Sequence, residues 1–207
     1  MVVAMLAGTI GKIAHEIYIL QKSEVAELEE PMPEGKVGSS TMPHKRNPAV
    51  CETIVALARA TKGCVVQAFD NLIAEHERDK IGLQSEREFV ARLHAMTHSA
   101  VKKMILVSRA LSVRSENMRR NLEITEGLML SEAVMMALAP VIGRQEAHEV
   151  VYKIAQRAAI NKTGMKEGLM AAPEITSKLS EKEIDAILDP DAYTGVCAQF
   201  VERVLAA

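Results

Sequence analysis

At 207 residues, with 48% hydrophobic and 25% charged side chains, the chain carries enough apolar material for one or two packed domains, which excludes a disordered tail. Aromatics are only 3%, tryptophan is absent and methionine numbers 12, a composition that suits an aliphatic, closely packed helical core and makes sheet formation unexpected. The net charge of −2, with both signs interspersed, gives no pull toward nucleic acid or an anionic membrane, so an anionic substrate needs a local positive site.

The N-terminal Met1–Ile10 stretch lacks a basic region before it, which argues against a secretory leader, and no stretch approaches the roughly 20 apolar residues of a membrane span. Val3, Leu6, Ala7, Ile10, Ile13, Ala14, Ile17 and Leu20 recur at steps of three and four. That spacing predicts one amphipathic helix over residues 2–28, ~40 Å long. It has no capping residue at its start and reads as a helix entered in the middle. Glu27-Leu28-Glu29-Glu30 and Pro31 then break it.

The run Gly38-Ser39-Ser40-Thr41-Met42-Pro43-His44-Lys45-Arg46-Asn47-Pro48 follows. Asn47 suits an N-cap and Pro48 a first helical position, which predicts a helix from Pro48 to about Phe69. Its open N–H groups and dipole would face the run, so that end and Lys45 could together hold a substrate carboxylate. A serine hydroxyl in the same field could then act as a base. The plain alternative for this spacing is a basic surface loop before a helix.

Glu75-His76-Glu77-Arg78-Asp79 and the polar stretch Lys80–Arg87 separate this helix from a third over residues 85–111. The cluster could serve catalysis or form a solvated turn. From Ser112 the texture changes to shorter helices punctuated by glycine and proline, which sets a domain boundary near residue 113: 1–112, a long-helix segment carrying the loop 35–48, and 113–207, a small helical domain. Ser180 and Glu183 form a capping box for a helix that Asp189-Pro190 stops.

Cys51, Cys64 and Cys197 show no CxxC spacing, and His94 and His98 lack a third ligand. Neither a disulfide framework, a metal site nor a cofactor is expected, and a reducing cytoplasm fits.

As a string, GSSTMPHKRNP closely resembles the GSSxMPxKxNP signature of the fumarase/aspartase superfamily. The resemblance implies an all-α fold, a bundle of very long helices followed by a small helical C-terminal domain, and a match to about the last half of a typical member. It implies that Ser39 is the base and Lys45 a second catalytic group. It places Ser40, Thr41, Met42, Asn47, Arg78 and Gln84 against a small carboxylate substrate. It also implies a homotetramer built through the long helices, with each site assembled from three subunits, or a pairing with a separate N-terminal polypeptide. The MPHKRNP form occurs in adenylosuccinate lyases and in 3-carboxy-cis,cis-muconate cycloisomerases. Leu83-Gln84 stand where adenylosuccinate lyases usually carry a phosphate-binding serine pair, and leucine cannot donate to phosphate. Gly82, Gln84, Ser85 and Glu86, together with the downstream run from Asn121 to His148, resemble the cycloisomerases. A cycloisomerase-like activity is therefore the expectation, with an adenylosuccinate lyase or a non-catalytic assembly module as alternatives.

Overall fold

The computed structural model describes residues 1–32, 41–42 and 46–206. It divides into two compact units, Met1–Asn117 and Met118–Ala207, so the split falls inside a helix, five residues beyond the division expected between 112 and 113. The first unit holds α1 (Val2–Leu20), β1 (Leu28–Glu29), α2 (Ala49–Asp70), α3 (Lys80–Arg109) and β2 (Ser112–Val113). α4 (Ser115–Glu123) crosses the split.

α1, α2 and α3 pack on one another through stripes at helical spacing. Ile10, Ala14 and Ile17 cluster with Cys51 and Ile54, and Ala100, Met104 and Val107 complete the cluster. Small side chains let the axes approach: a Cβ added at Gly11 would lie 2.5 Å from Ala58 Cβ. By length and composition α1 is apolar enough to cross a membrane, contrary to the expectation that no stretch is. Its stripe of Ala7, Ile10, Gly11, Ala14 and Ile17 is instead buried among the neighbouring helices.

Three boundaries differ from those the sequence predicts. α1 stops at Leu20 rather than near residue 28. The chain turns through Ala26 at φ +53°, where the Glu27 N–H returns to the Leu20 carbonyl at 2.9 Å. The released residues form β1, antiparallel to β2 with Leu28 opposite Val113 and Glu29 opposite Ser112, a short ladder in a fold for which no sheet was expected. α3 begins at Lys80, because the Asp79 carboxylate accepts the Ile81 and Gly82 N–H groups at 2.8 and 3.2 Å and turns the polar stretch into a capped helix start.

The second unit contains α5 (Ser131–Ile142), α6 (Arg144–Asn161), α7 (Met165–Met170), α8 (Pro173–Thr176), α9 (Glu181–Ile187) and α10 (Cys197–Leu205). Gly143 at φ +87° makes the corner between α5 and α6. Leu138, Met165, Leu169, Ile175 and Ile184 form its core. The Ser180/Glu183 capping box opens α9, and Asp189-Pro190 follows its end. The architecture is all-α with a two-stranded ladder.

Candidate functional site

Where the Gly38–Pro48 run enters α2, an open cleft of about 830 Å³ lies between the end of α1, β1 and the start of α2. Met42 and Asn47 line it, as do Lys22, Arg46 and Arg114 and the acids Glu24, Glu29 and Glu52. Of the residues the sequence assigns to this site, Ser39, Ser40 and Lys45 lie outside the described residues. Thr41, Met42 and Asn47 are exposed.

β1 sends its side chains to alternate sides, as a strand must. Leu28 packs on the helical core, Glu29 meets the cleft, and the next residue, Glu30, is buried at 6% exposure. The Glu29 carboxylate is shared between two guanidinium groups, Arg46 at 2.5 Å and Arg114. The Arg114 hydrogen bond first, and Arg46 after it, hold Glu29 below the usual carboxylate range against the opposing effect of burial. Among the described residues, two of the three basic groups that line the cleft are thus already paired.

Glu30 corrects the expectation for α2. Pro48 occupies the cap position instead of Asn47, no side chain of the cap residue bonds the helix, and Ala49 is the first helical residue. The Val50 and Cys51 N–H groups donate to the Glu30 carboxylate at 3.0 and 2.7 Å. An acid twenty residues upstream thus takes the place that a substrate carboxylate was expected to fill, and the helix end is closed to it. Burial, together with the hydrogen bond and charge of Glu30, pushes the Cys51 thiol up to about 12, so Cys51 is no nucleophile here.

Arg78 and Gln84 sit elsewhere. Both are exposed, beyond the far end of α2, and Gln84 accepts a hydrogen bond from Arg87 at 3.2 Å. Asn71, which ends α2, donates to the Gly82 carbonyl at 3.1 Å and fixes that corner. Asp79 spends its carboxylate on the α3 N–H groups, Gly82 before Ile81, which hold it below its usual range. The 22 residues of α2 separate this corner from Asn47 by about 33 Å at 1.5 Å per residue. One chain therefore brings Met42 and Asn47 together but not Arg78 or Gln84 with them. Arg46, Arg114, Glu29 and Glu30 were not singled out from sequence. The adjacent acids before Pro31 were the available signal, but nothing in sequence links position 30 to position 50.

A long-helix unit with Met42, Arg46 and Asn47 at a charged cleft, followed by a unit of short helices, defines the chain as all-helical. Two families match it: one described as "Lyase" over residues 1–63 and one described as "Adenylosuccinate lyase C-terminus" over residues 127–204. The chain is 40% identical over 203 residues to an adenylosuccinate lyase of Archaeoglobus fulgidus, covering 98% of this chain and 46% of that protein. It is 36% identical over 206 residues to an N-acetyl-S-(2-succino)cysteine lyase of Enterococcus italicus, covering 100% and 45%. The crystal structure of a 3-carboxy-cis,cis-muconate lactonizing enzyme from Pseudomonas putida superposes with a TM-score of 0.86 at 34% identity, covering 99% of this chain and 46% of that one. The chain belongs to the fumarase/aspartase superfamily. It spans about half the length of the curated relatives it matches.

Proposed function

We propose that this chain contributes the Ser39 part of an active site that makes or breaks a bond beta to a carboxylate, in the manner of a 3-carboxy-cis,cis-muconate cycloisomerase. The observation that carries the reading is that Met42 and Asn47, on either side of Lys45, both line the charged cleft. Ser39 exchanges a proton at the carbon next to a carboxylate, and the resulting dianion is met by Lys45 and Asn47. The first N–H groups of α2 take no part, because Glu30 holds them.

The gap of about 33 Å between Asn47 and the Arg78–Gln84 corner supports a site completed by other copies in a tetramer, or by a polypeptide that carries the remaining length of the relatives. Leu83, half exposed beside Gln84, offers no donor to a phosphate and supports the cycloisomerase over a nucleotide substrate. A second reading, a substrate bearing a succinyl group, is favoured by the 40% and 36% identities to relatives whose names carry that group.

The test is ultraviolet-monitored turnover of 3-carboxy-cis,cis-muconate, adenylosuccinate and N-acetyl-S-(2-succino)cysteine. The chain is assayed alone and co-expressed with the remaining half, with Ser39→Ala as the control. Serine-dependent loss of the muconate is expected. Turnover of a succinyl substrate alone would select the second reading, and none in the assembled protein would leave a non-catalytic assembly module.

A further inference from the structure

The backbone that leaves the Gly38–Pro48 run is tied to the segment that precedes it. Glu30 accepts the Val50 and Cys51 N–H groups at 3.0 and 2.7 Å, its own N–H donates to Gln21 Oε1 at 2.7 Å, and Gln21 Nε2 reaches the Arg46 carbonyl at 3.5 Å. The stretch from Arg46 to Cys51 is thus held at both its ends from residues 21 and 30. A local Ser or Asn could cap α2 without burying a carboxylate, a group that is costly to bury. What the distant acid adds is a fixed connection across twenty residues. Charge-assisted bonds to two N–H groups also hold the first turn more firmly than water would.

We propose that Glu30 is a positioning residue for the reaction set out above. Its carboxylate fixes the first turn of α2, and with it the backbone that presents Asn47 to the cleft. This rests on Asn47 meeting the substrate, so the experiment separates the two claims.

Glu30→Gln keeps the shape but offers one acceptor, and its NH2 faces a backbone N–H, so one of the two bonds is lost. Amide exchange in the assembled protein should rise about tenfold or more at Val50 and Cys51 while Ile54 and Ala58 hold their rates. On the substrate that shows Ser39-dependent turnover, kcat/KM should fall about tenfold, but less than about twofold when the same change is made in an Asn47→Ala background. If Glu30→Gln does not fold, Glu30→Asp takes its place, keeping the charge and shortening the reach by one methylene. Equal acceleration along α2, unchanged exchange at Val50 and Cys51, or penalties that multiply with Asn47→Ala would overturn the proposal while leaving the functional reading intact. Selective exchange in a wild-type assembly that turns over none of the three substrates would sink the functional reading and reduce Glu30 to a fold element, which also overturns the positioning role.

Discussion

The long-helix unit, Met1–Asn117, and the short-helix unit, Met118–Ala207, differ in the size of the apolar side chains that each buries. The second closes around large ones: Leu138, Met165, Leu169 and Ile175 are at 0% exposure and Ile184 at 1%. The first mixes small ones, among them Ala7, Ala14, Cys51, Cys64 and Ala100, with larger ones such as Ile54 and Val107, while Val2, Met5, Val66, Leu72, Ile73 and Leu106 stay exposed. The second unit also leaves apolar side chains exposed, among them Val141, Ile160 and, on α10, Phe200 and Val204. A self-contained core holds a unit's shape, whereas helices packed through one narrow stripe keep their remaining faces for something else. The candidate chemistry sits with the second kind.

The comparison is sharpened most by Ser39→Ala. Loss of a general base should lower turnover by about 10²–10⁴ without moving the thermal unfolding of either unit. Steady-state rates beside a melting curve check both halves of that statement. Leu169→Ala empties the centre of the second core and should cost about 2–5 kcal/mol, raising amide exchange in α7 and α9 but not in α1 to α3. Exchange that spread evenly through both units would break the comparison.

Gly11→Ala tests the narrow stripe. A glycine-to-alanine change inside a helix ordinarily stabilises by about 0.5–1 kcal/mol. Here the new methyl meets Ala58 Cβ at 2.5 Å, so a net loss of about 1–3 kcal/mol is expected by denaturant unfolding of the first unit. Ser180→Ala removes the capping box of α9 and should cost about 1 kcal/mol in the second unit alone.

The smallest effect is on acid sensitivity. Glu29 is held below the usual carboxylate value by Arg114 and Arg46, so the folded chain binds fewer protons there than the unfolded one. The stability this provides is fully present above the ordinary pKa of 4.5 and is lost as pH falls through the lower folded value. Glu29→Gln should flatten that part of the pH dependence for the first unit, measured by urea midpoints below pH 5 or so. An unchanged acid limb would mean that the two arginines give Glu29 no preference for its charged form.

Much of the fold was legible because helical periodicity records burial directly. The stripe of α1, the extent of α2 and the α9 capping box all follow from spacing. What escaped depends on partners far apart in sequence. The end of α1 at Leu20 is fixed by the ladder that pairs residue 28 with 113, and the start of α3 by Asp79, whose capping role competed with its place in a charge cluster. At the site, the signature run marked Met42 and Asn47, which line the cleft. Its expected use of the α2 terminus was overturned by Glu30, because a cap reached across twenty residues leaves no local pattern. The resemblance of the Glu75–Arg87 segment placed Arg78 and Gln84 with Asn47, whereas one chain holds them at opposite ends of α2.

That separation supports the central claim, that a complete site draws Asn47 and Gln84 from different copies, and mixing two impaired variants tests it most directly. Asn47→Ala and Gln84→Ala proteins, each assembled separately, are dissociated, mixed and reassembled before turnover is measured. The account predicts that the mixture exceeds the low activity of either parent, because some sites then combine an intact Asn47 with an intact Gln84. A mixture no more active than its parents, with exchange of chains verified by mass, would contradict it.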